Sequence, residues 1–223
     1  FEGCAALTEI ALPDGLTTLG NAAFRDCGAL ATITLPASVS AVGESVFSGC
    51  TALAAIGVDA ANATYSSDAA GVLYTKDKTR LLAAPGGLAG AYAIAGTATA
   101  IDSWAFSGCQ RLTAVTVPQG VTALESYTFN ECPVLTAASL PDGLTSIGDS
   151  AFYACAALQT IALPQSLTSL GESAFERCAA LTELTLPEGL TRIGDWAFSE
   201  CTALTGIAVP ASVTEIGYAA FSF

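Results

Sequence analysis

Residues 178–200 read CAALTELTLPEGLTRIGDWAFSE, and most of the chain repeats this unit of 23 residues. Eight cysteines mark the copies: six of the seven gaps between successive cysteines are 23 residues long, and one is 59. A phenylalanine precedes each cysteine by three residues, and a leucine follows it by three. Such a short fixed period predicts a solenoid of stacked coils, because one unit can bury its apolar face only against its neighbours.

Within one unit the hydrophobic pattern changes. Leu184 and Leu186 alternate with polar residues, which predicts a strand with one buried face. Pro187 ends this strand, because proline cannot donate a ladder hydrogen bond. Residues 190–194 predict a second short strand, and residues 195–201 predict one or two helical turns that begin at an N-cap residue, Asp195.

The recurring pattern LxxLxL, followed by LPxGLTxIGxxAFxxC, resembles the leucine-rich repeats of BspA-like bacterial surface proteins. The resemblance implies a leucine-rich repeat solenoid of the α/β horseshoe type, rich in strands and with short helices on its convex side. We expect residues 1–223 to form a single array that is truncated at both ends, because each end cuts through a repeat.

The family resemblance also implies a function. It predicts a non-enzymatic recognition or adhesion module on the surface of a bacterial cell, facing the extracellular space. The expected partner is a host or neighbouring-cell surface protein or a matrix component, and flanking repeats of the same chain would cover the ends of the array. The alternative is a structural spacer that presents another domain of a longer surface protein.

The gap of 59 residues contains an irregular insertion, residues 59–91, which also resembles an insertion of the family. Two apolar runs flank residues 75–79 and predict a β-hairpin, and Tyr92 resumes the strand pattern. Because this stretch breaks the repeat, we predict that it carries a binding surface. Its candidate residues are Tyr65, Tyr74, Lys76, Lys78 and Arg80.

A second candidate surface is the concave face, which the outward residues of the longer strands would form. These residues are small and almost uncharged, whereas binding hot spots favour Trp, Tyr and Arg. The candidates are Glu9, Thr32, Thr34, Thr116, Thr160, Glu183 and Thr185. Larger side chains fall elsewhere, just before the phenylalanine column, at Trp104, Tyr127, Trp196 and Tyr218.

Composition and spacing argue against other classes of function. The formal charge of −13 disfavours nucleic acid and anionic membranes, which attract basic proteins. No apolar run is long enough to predict membrane insertion. The chain has no histidine and no CxxC motif, so we expect no metal, no cofactor and no catalytic group. The cysteines predict a buried column of eight free thiols, because parallel strands lie about 4.8 Å apart and a disulfide needs closer Cβ atoms.

Overall fold

The computed structural model describes residues 1–222 as a solenoid of β-strands and turns. Most coils consist of an inner strand, a turn, a short second strand and an outer segment of consecutive turns. The strands, in chain order, are β1 (Thr18–Leu19), β2 (Thr32–Leu35), β3 (Ala41–Val42), β4 (Ala55–Val58), β5 (Tyr65–Ser67), β6 (Leu73–Thr75), β7 (Arg80–Ala83), β8 (Ala89–Ala93), β9 (Ala100–Ile101), β10 (Arg111–Thr116), β11 (Ala123–Leu124), β12 (Ala137–Ser139), β13 (Ser146–Ile147), β14 (Ser169–Leu170), β15 (Arg192–Ile193) and β16 (Glu215–Ile216).

Successive coils pair in parallel with the register that the period predicts. Thr32 pairs with Ala55 in the inner strands β2 and β4, and Ser146 pairs with Ser169 in the second strands β13 and β14. The most extended ladder is formed by the second strands β11, β13, β14, β15 and β16. The inner strands form shorter sheets, β2–β4 and β8–β10–β12, with isolated bridges such as Thr160 to Glu183 beyond them.

The prediction of short convex helices is wrong, since residues 1–222 contain no helix. The outer segment instead places a residue with positive φ at every fourth position, as at Ser150 (52°) and Ala154 (56°). Its backbone N–H groups alternate between turn bonds within the coil and bonds to the next coil. Phe152 donates to the carbonyl of Ala174 over 2.8 Å, whereas Tyr153 donates to Ser150 over 3.1 Å. Left-handed residues and donation between coils leave no run of i to i−4 bonds, so a helix cannot form.

Asp195, the predicted N-cap residue, and its equivalent Asp149 bond to the next coil and do not cap a helix. The side chain of Asp195 accepts a hydrogen bond from the backbone N–H of Tyr218 over 2.7 Å, and that of Asp149 accepts one from Glu172 over 2.8 Å. Each acceptor therefore links its own coil to the next coil, 23 residues onward.

The core is a column of stacked phenylalanines beside a column of cysteines. Phe152 and Phe175 are fully buried, and their ring centroids are 5.2 Å apart with an interplanar angle of 4°. The thiol of Cys178 donates to the carbonyl of Phe152 over 3.2 Å, and the same bond recurs between Cys155 and Phe129. The thiols therefore satisfy backbone carbonyls of the preceding coil. All eight cysteines are free, and only Cys4 is exposed.

Candidate binding surfaces

The insertion divides the hydrophobic core into two clusters. β5, β6 and β7 form an antiparallel meander, and β7 then pairs in parallel with β9 of the following coil. Successive residues of β6 face opposite sides: Leu73 belongs to the amino-terminal cluster and Tyr74 to the carboxy-terminal cluster. The meander therefore separates the two clusters of the core.

The expectation that Tyr65 and Tyr74 are exposed is wrong. Tyr65 is 6% exposed and Tyr74 is fully buried, so neither can form a surface contact. Tyr74 accepts a hydrogen bond from the N–H of Ala95 over 3.2 Å and lies 2.6 Å from the hydroxyl of Tyr92, which donates to Asp68 over 2.7 Å. Burial, opposed only in part by these hydrogen bonds, raises the pKa of Tyr74. Both tyrosines are structural.

The hairpin tip, residues 76–79, holds the remaining candidates. Asp77 organises the turn by accepting a backbone hydrogen bond from Thr79 over 3.0 Å, and this bond with two threonine hydroxyl bonds lowers the pKa of Asp77. The carbonyl of Lys78 accepts from the hydroxyl of Thr97 over 3.0 Å, which fixes the tip against the next coil. Lys76 is exposed and Lys78 is partly exposed. The ammonium group of Lys76 donates to the carbonyl of Ala60 over 3.5 Å, at the long end of a hydrogen bond.

Arg80 is engaged within the molecule. Its guanidinium donates to the carboxylate of Asp102, and this pairing raises the pKa of Arg80. The pKa of Asp102 is nevertheless raised, because burial of its side chain outweighs the attraction of Arg80. A partner that contacts Arg80 must therefore compete with an internal ion pair.

The outward residues of the concave face are small and almost uncharged. All seven of its candidate residues, from Glu9 to Thr185, are exposed. Two open clefts lie on this face, one lined by Glu9 and Thr32 and the other by Thr160 and Glu183. The seven residues are spread over most of the array, and the structure does not bring them together with the hairpin tip into one site.

A row of threonines directly precedes the second strands, and their hydroxyl groups form hydrogen bonds between neighbouring coils. The hydroxyl of Thr145 donates to the carbonyl of Thr122 over 2.9 Å, and Thr168 donates to Thr145 over 3.1 Å. These hydroxyls support backbone stacking, so the structure gives them a role within the molecule.

Residues 1–222 show no group of three or more Cys, Asp or Glu side chains that could hold a metal ion. The described part of the chain also includes no helix long and apolar enough to cross a membrane.

The family model for the BspA type leucine rich repeat region matches residues 1–70 and 94–223, in six copies. The chain belongs to this family. The residues left unmatched, 71–93, include the whole of β6, β7 and β8, which agrees with the insertion being the departure from the repeat.

Solved structures of bacterial leucine-rich repeat proteins share the fold. A leucine rich cell surface protein from Faecalibacterium prausnitzii A2-165 is 30% identical with a TM-score of 0.85, and the match covers 98% of this chain and 55% of that protein. The pneumococcal vaccine antigen PcpA, at 22% identity and a TM-score of 0.76, matches over 91% of this chain and 54% of its own. A leucine-rich repeat protein from Eubacterium ventriosum ATCC 27560, at 24% identity and a TM-score of 0.75, matches over 95% and 63%. The chain thus spans little more than half the length of the first two. No match was found among curated proteins.

Proposed function

We propose that this chain is a recognition and adhesion module of a bacterial cell-surface protein, and that the hairpin tip contacts the partner. The observation that carries the proposal is the position of the lysines. Lys76 and Lys78 are the only lysines in a chain of net charge −13, and both lie on the turn of the insertion that interrupts the repeat. The partner would be a host or neighbouring-cell surface protein, or a matrix component, with carboxylate or sulfate groups that pair with the two ammonium groups.

Family membership supports a non-catalytic role, and the 30% identical cell surface protein supports an extracellular location. A structural spacer is the second candidate. It is favoured by the concave face, whose seven candidate residues include no Trp, Tyr or Arg to act as an anchor.

Binding of the labelled chain distinguishes the two functions. A fluorophore attached to Cys4, the exposed thiol, leaves both lysines unmodified. We expect the chain to bind epithelial cells or immobilised fibronectin or collagen, and the double substitution Lys76→Gln, Lys78→Asn to weaken that binding several-fold. Asparagine suits position 78 because Lys78 has a φ of 59°, a conformation that asparagine tolerates.

The matched control removes two positive charges elsewhere, by Arg111→Gln and Arg192→Gln, both at exposed positions. Equal weakening by the two double variants would mean that only net charge matters and would reject the tip as the contact. A spacer predicts that the unmodified chain binds none of these surfaces.

A further inference from the structure

One row of positions on the outer side, here called the aromatic row, carries the residue two before each phenylalanine of the core column. In the eight coils it holds Ala22, Ser45, Trp104, Tyr127, Ser150, Ser173, Trp196 and Ala219. All eight have φ between 51° and 65°, the left-handed region. A bulky aromatic residue is disfavoured in this conformation. Backbone preference therefore explains the serines and alanines of the row better than its three aromatic residues.

The molecule already uses this row to hold a cation. The guanidinium carbon of Arg25 lies 5.3 Å from the ring centroid of Trp104, across the coil in which the row carries the small Ser45. Carboxylates accompany the guanidinium, with Asp26 at 3.5 Å and Glu2 at 3.9 Å. Aromatic face, small residue and carboxylates together thus form a site that the chain fills with its own arginine.

A similar arrangement lies on the other side of this pair, where no cation lies over the ring of Tyr127 within residues 1–222; Arg177, two coils onward, lies over Tyr153 instead. Tyr127 stacks on Trp104 with centroids 3.9 Å apart and an interplanar angle of 10°, so one face of Tyr127 is covered and the other faces the following coils. Those coils carry only Ser150 and Ser173 in the row before Trp196. Phenylalanine rings of the same coils are spaced by 5.2 to 5.5 Å, so two coils of small residues separate the aromatic side chains. We call this gap, bounded by Tyr127, Ser150, Ser173 and Trp196, the aromatic slot.

The floor and one rim of the slot are polar. Ser173 is 8% exposed and its hydroxyl forms no hydrogen bond within residues 1–222, yet its oxygen is not sealed from solvent. This hydroxyl is therefore free to accept a hydrogen bond from a ligand that reaches it. The N–H of Tyr127 donates to the carbonyl of Asp149 over 2.8 Å, and that of Ser150 to Glu172 over 2.7 Å. These bonds place two exposed carboxylate residues beside the slot.

We propose that the aromatic slot binds an arginine side chain from a basic segment of a partner protein. The guanidinium would lie on the open face of Tyr127, as Arg25 lies on Trp104, with Asp149 and Glu172 as its counter-charges. The hydroxyl of Ser173 supplies an acceptor on the floor. This site lies on the outer side of the coils, separate from the hairpin tip, and it does not depend on the tip being a contact.

The test uses the whole chain labelled with ¹⁵N and a blocked peptide, Gly-Arg-Gly-Arg-Gly, as the probe. The two tryptophans, Trp104 and Trp196, give two indole N–H signals, one from each side of the Tyr127 region. We expect both indole signals and the Tyr127 amide to shift, and the arginine peptide to bind more tightly than its lysine counterpart. Tyr127→Ser, which installs the residue of the neighbouring coils, should weaken binding by about fivefold, and Tyr127→Phe should retain it.

Matched carboxylate variants separate the slot from the general negative charge. Asp149→Asn with Glu172→Gln should weaken binding by at least about fivefold. Asparagine can preserve the bond between coils, since Asn21 accepts the N–H of Glu44 in the same way over 3.0 Å. Asp142→Asn with Glu188→Gln, at exposed positions after the turn prolines, removes the same charge and should change affinity less than twofold. Equal effects of the two pairs, or no loss with Tyr127→Ser, would overturn the proposal.

Discussion

The hydroxyl oxygens of Ser48 and Ser107 are 3.0 Å apart, although 59 residues separate them in the chain. The outer segment before Cys50 therefore stacks directly on the outer segment before Cys109, and the intervening residues add no outer segment between them. The sequences on either side are the same, Phe-Ser-Gly-Cys at 47–50 and at 106–109. The insertion thus lies on the side of the solenoid that the strands form, between two otherwise regular parts.

This relationship predicts that residues 51–109 can be deleted. The deletion joins Cys50 to Gln110, restores the 23-residue period and unites the two core clusters. We expect a folded chain with one cooperative urea transition. Deleting residues 59–91 instead leaves a spacing of 26 residues between cysteines, which puts the strands out of register. If the 59–91 deletion were the more stable of the two, the period would not control stacking.

Tyr74→Phe should destabilise the meander of β5, β6 and β7 between the two core clusters. The change removes the hydroxyl that accepts from Ala95 and bonds to Tyr92 in a buried network, so we expect a loss of about 1–3 kcal/mol in the free energy of unfolding. Tyr153→Phe is the control, because its hydroxyl bonds to exposed Arg177 and should cost less than about 1 kcal/mol. Equal losses of unfolding free energy in the two variants, measured by urea denaturation, would show that the buried hydroxyl network stabilises the protein no more than the exposed bond does.

Phe152→Ala should create a cavity in the phenylalanine column. Phe152 is fully buried between Phe129 and Phe175, each with its ring centroid 5.2 Å away. We expect a loss of about 3–5 kcal/mol on denaturant unfolding. Val134→Ala, at a side chain that is 39% exposed, should change stability by less than about 1 kcal/mol. A loss of under about 1 kcal/mol for Phe152→Ala would mean that the column does not stabilise the array.

The sequence predicts the coil well because the columns of Cys, Phe and Leu repeat with one period and occupy the core. It does not predict the outer turns, because Asp-Ser-Ala-Phe-Tyr-Ala-Cys at 149–155 suits a helix locally. Hydrogen bonds to the next coil override that propensity, and most of the left-handed positions carry no glycine to indicate them. The burial of Tyr65 and Tyr74 was also unpredictable, since the two faces of their meander pack on different core clusters.

Glycine substitutions test the left-handed turns. Ala154 has a φ of 56°, which costs alanine about 1–2 kcal/mol relative to glycine. We therefore expect Ala154→Gly to raise the free energy of unfolding by up to about 1 kcal/mol, after the entropy that glycine loses on folding. Ala157, also partly buried but without a positive φ, provides the control, and Ala157→Gly should lower stability by about 0.5–1 kcal/mol. The opposite order in matched urea titrations would contradict the outer-turn geometry.

The cysteine column should make the protein less stable as pH rises above about 8.5, where thiols of an unfolded chain ionise. Burial raises the pKa of Cys50 and of Cys201 to about 12 and raises that of Cys155 well above its usual range. The folded state thus holds these three thiols neutral, and the stability that they contribute is present below the unfolded pKa and lost as pH rises. We expect a lower free energy of unfolding at pH 9.5 than at pH 8.

Replacing one buried thiol isolates this contribution. Cys155→Ala should lower stability at pH 8 through lost packing and the lost bond to Phe129, yet it should reduce the further loss between pH 8 and 9.5. A thiol reagent should modify only Cys4 in the native chain at either pH, because the other seven thiols are buried. In denaturant without reductant it should modify all eight. Four or fewer reactive thiols in the denatured chain would show that disulfides form, and an unchanged pH dependence in Cys155→Ala would show that this thiol does not contribute.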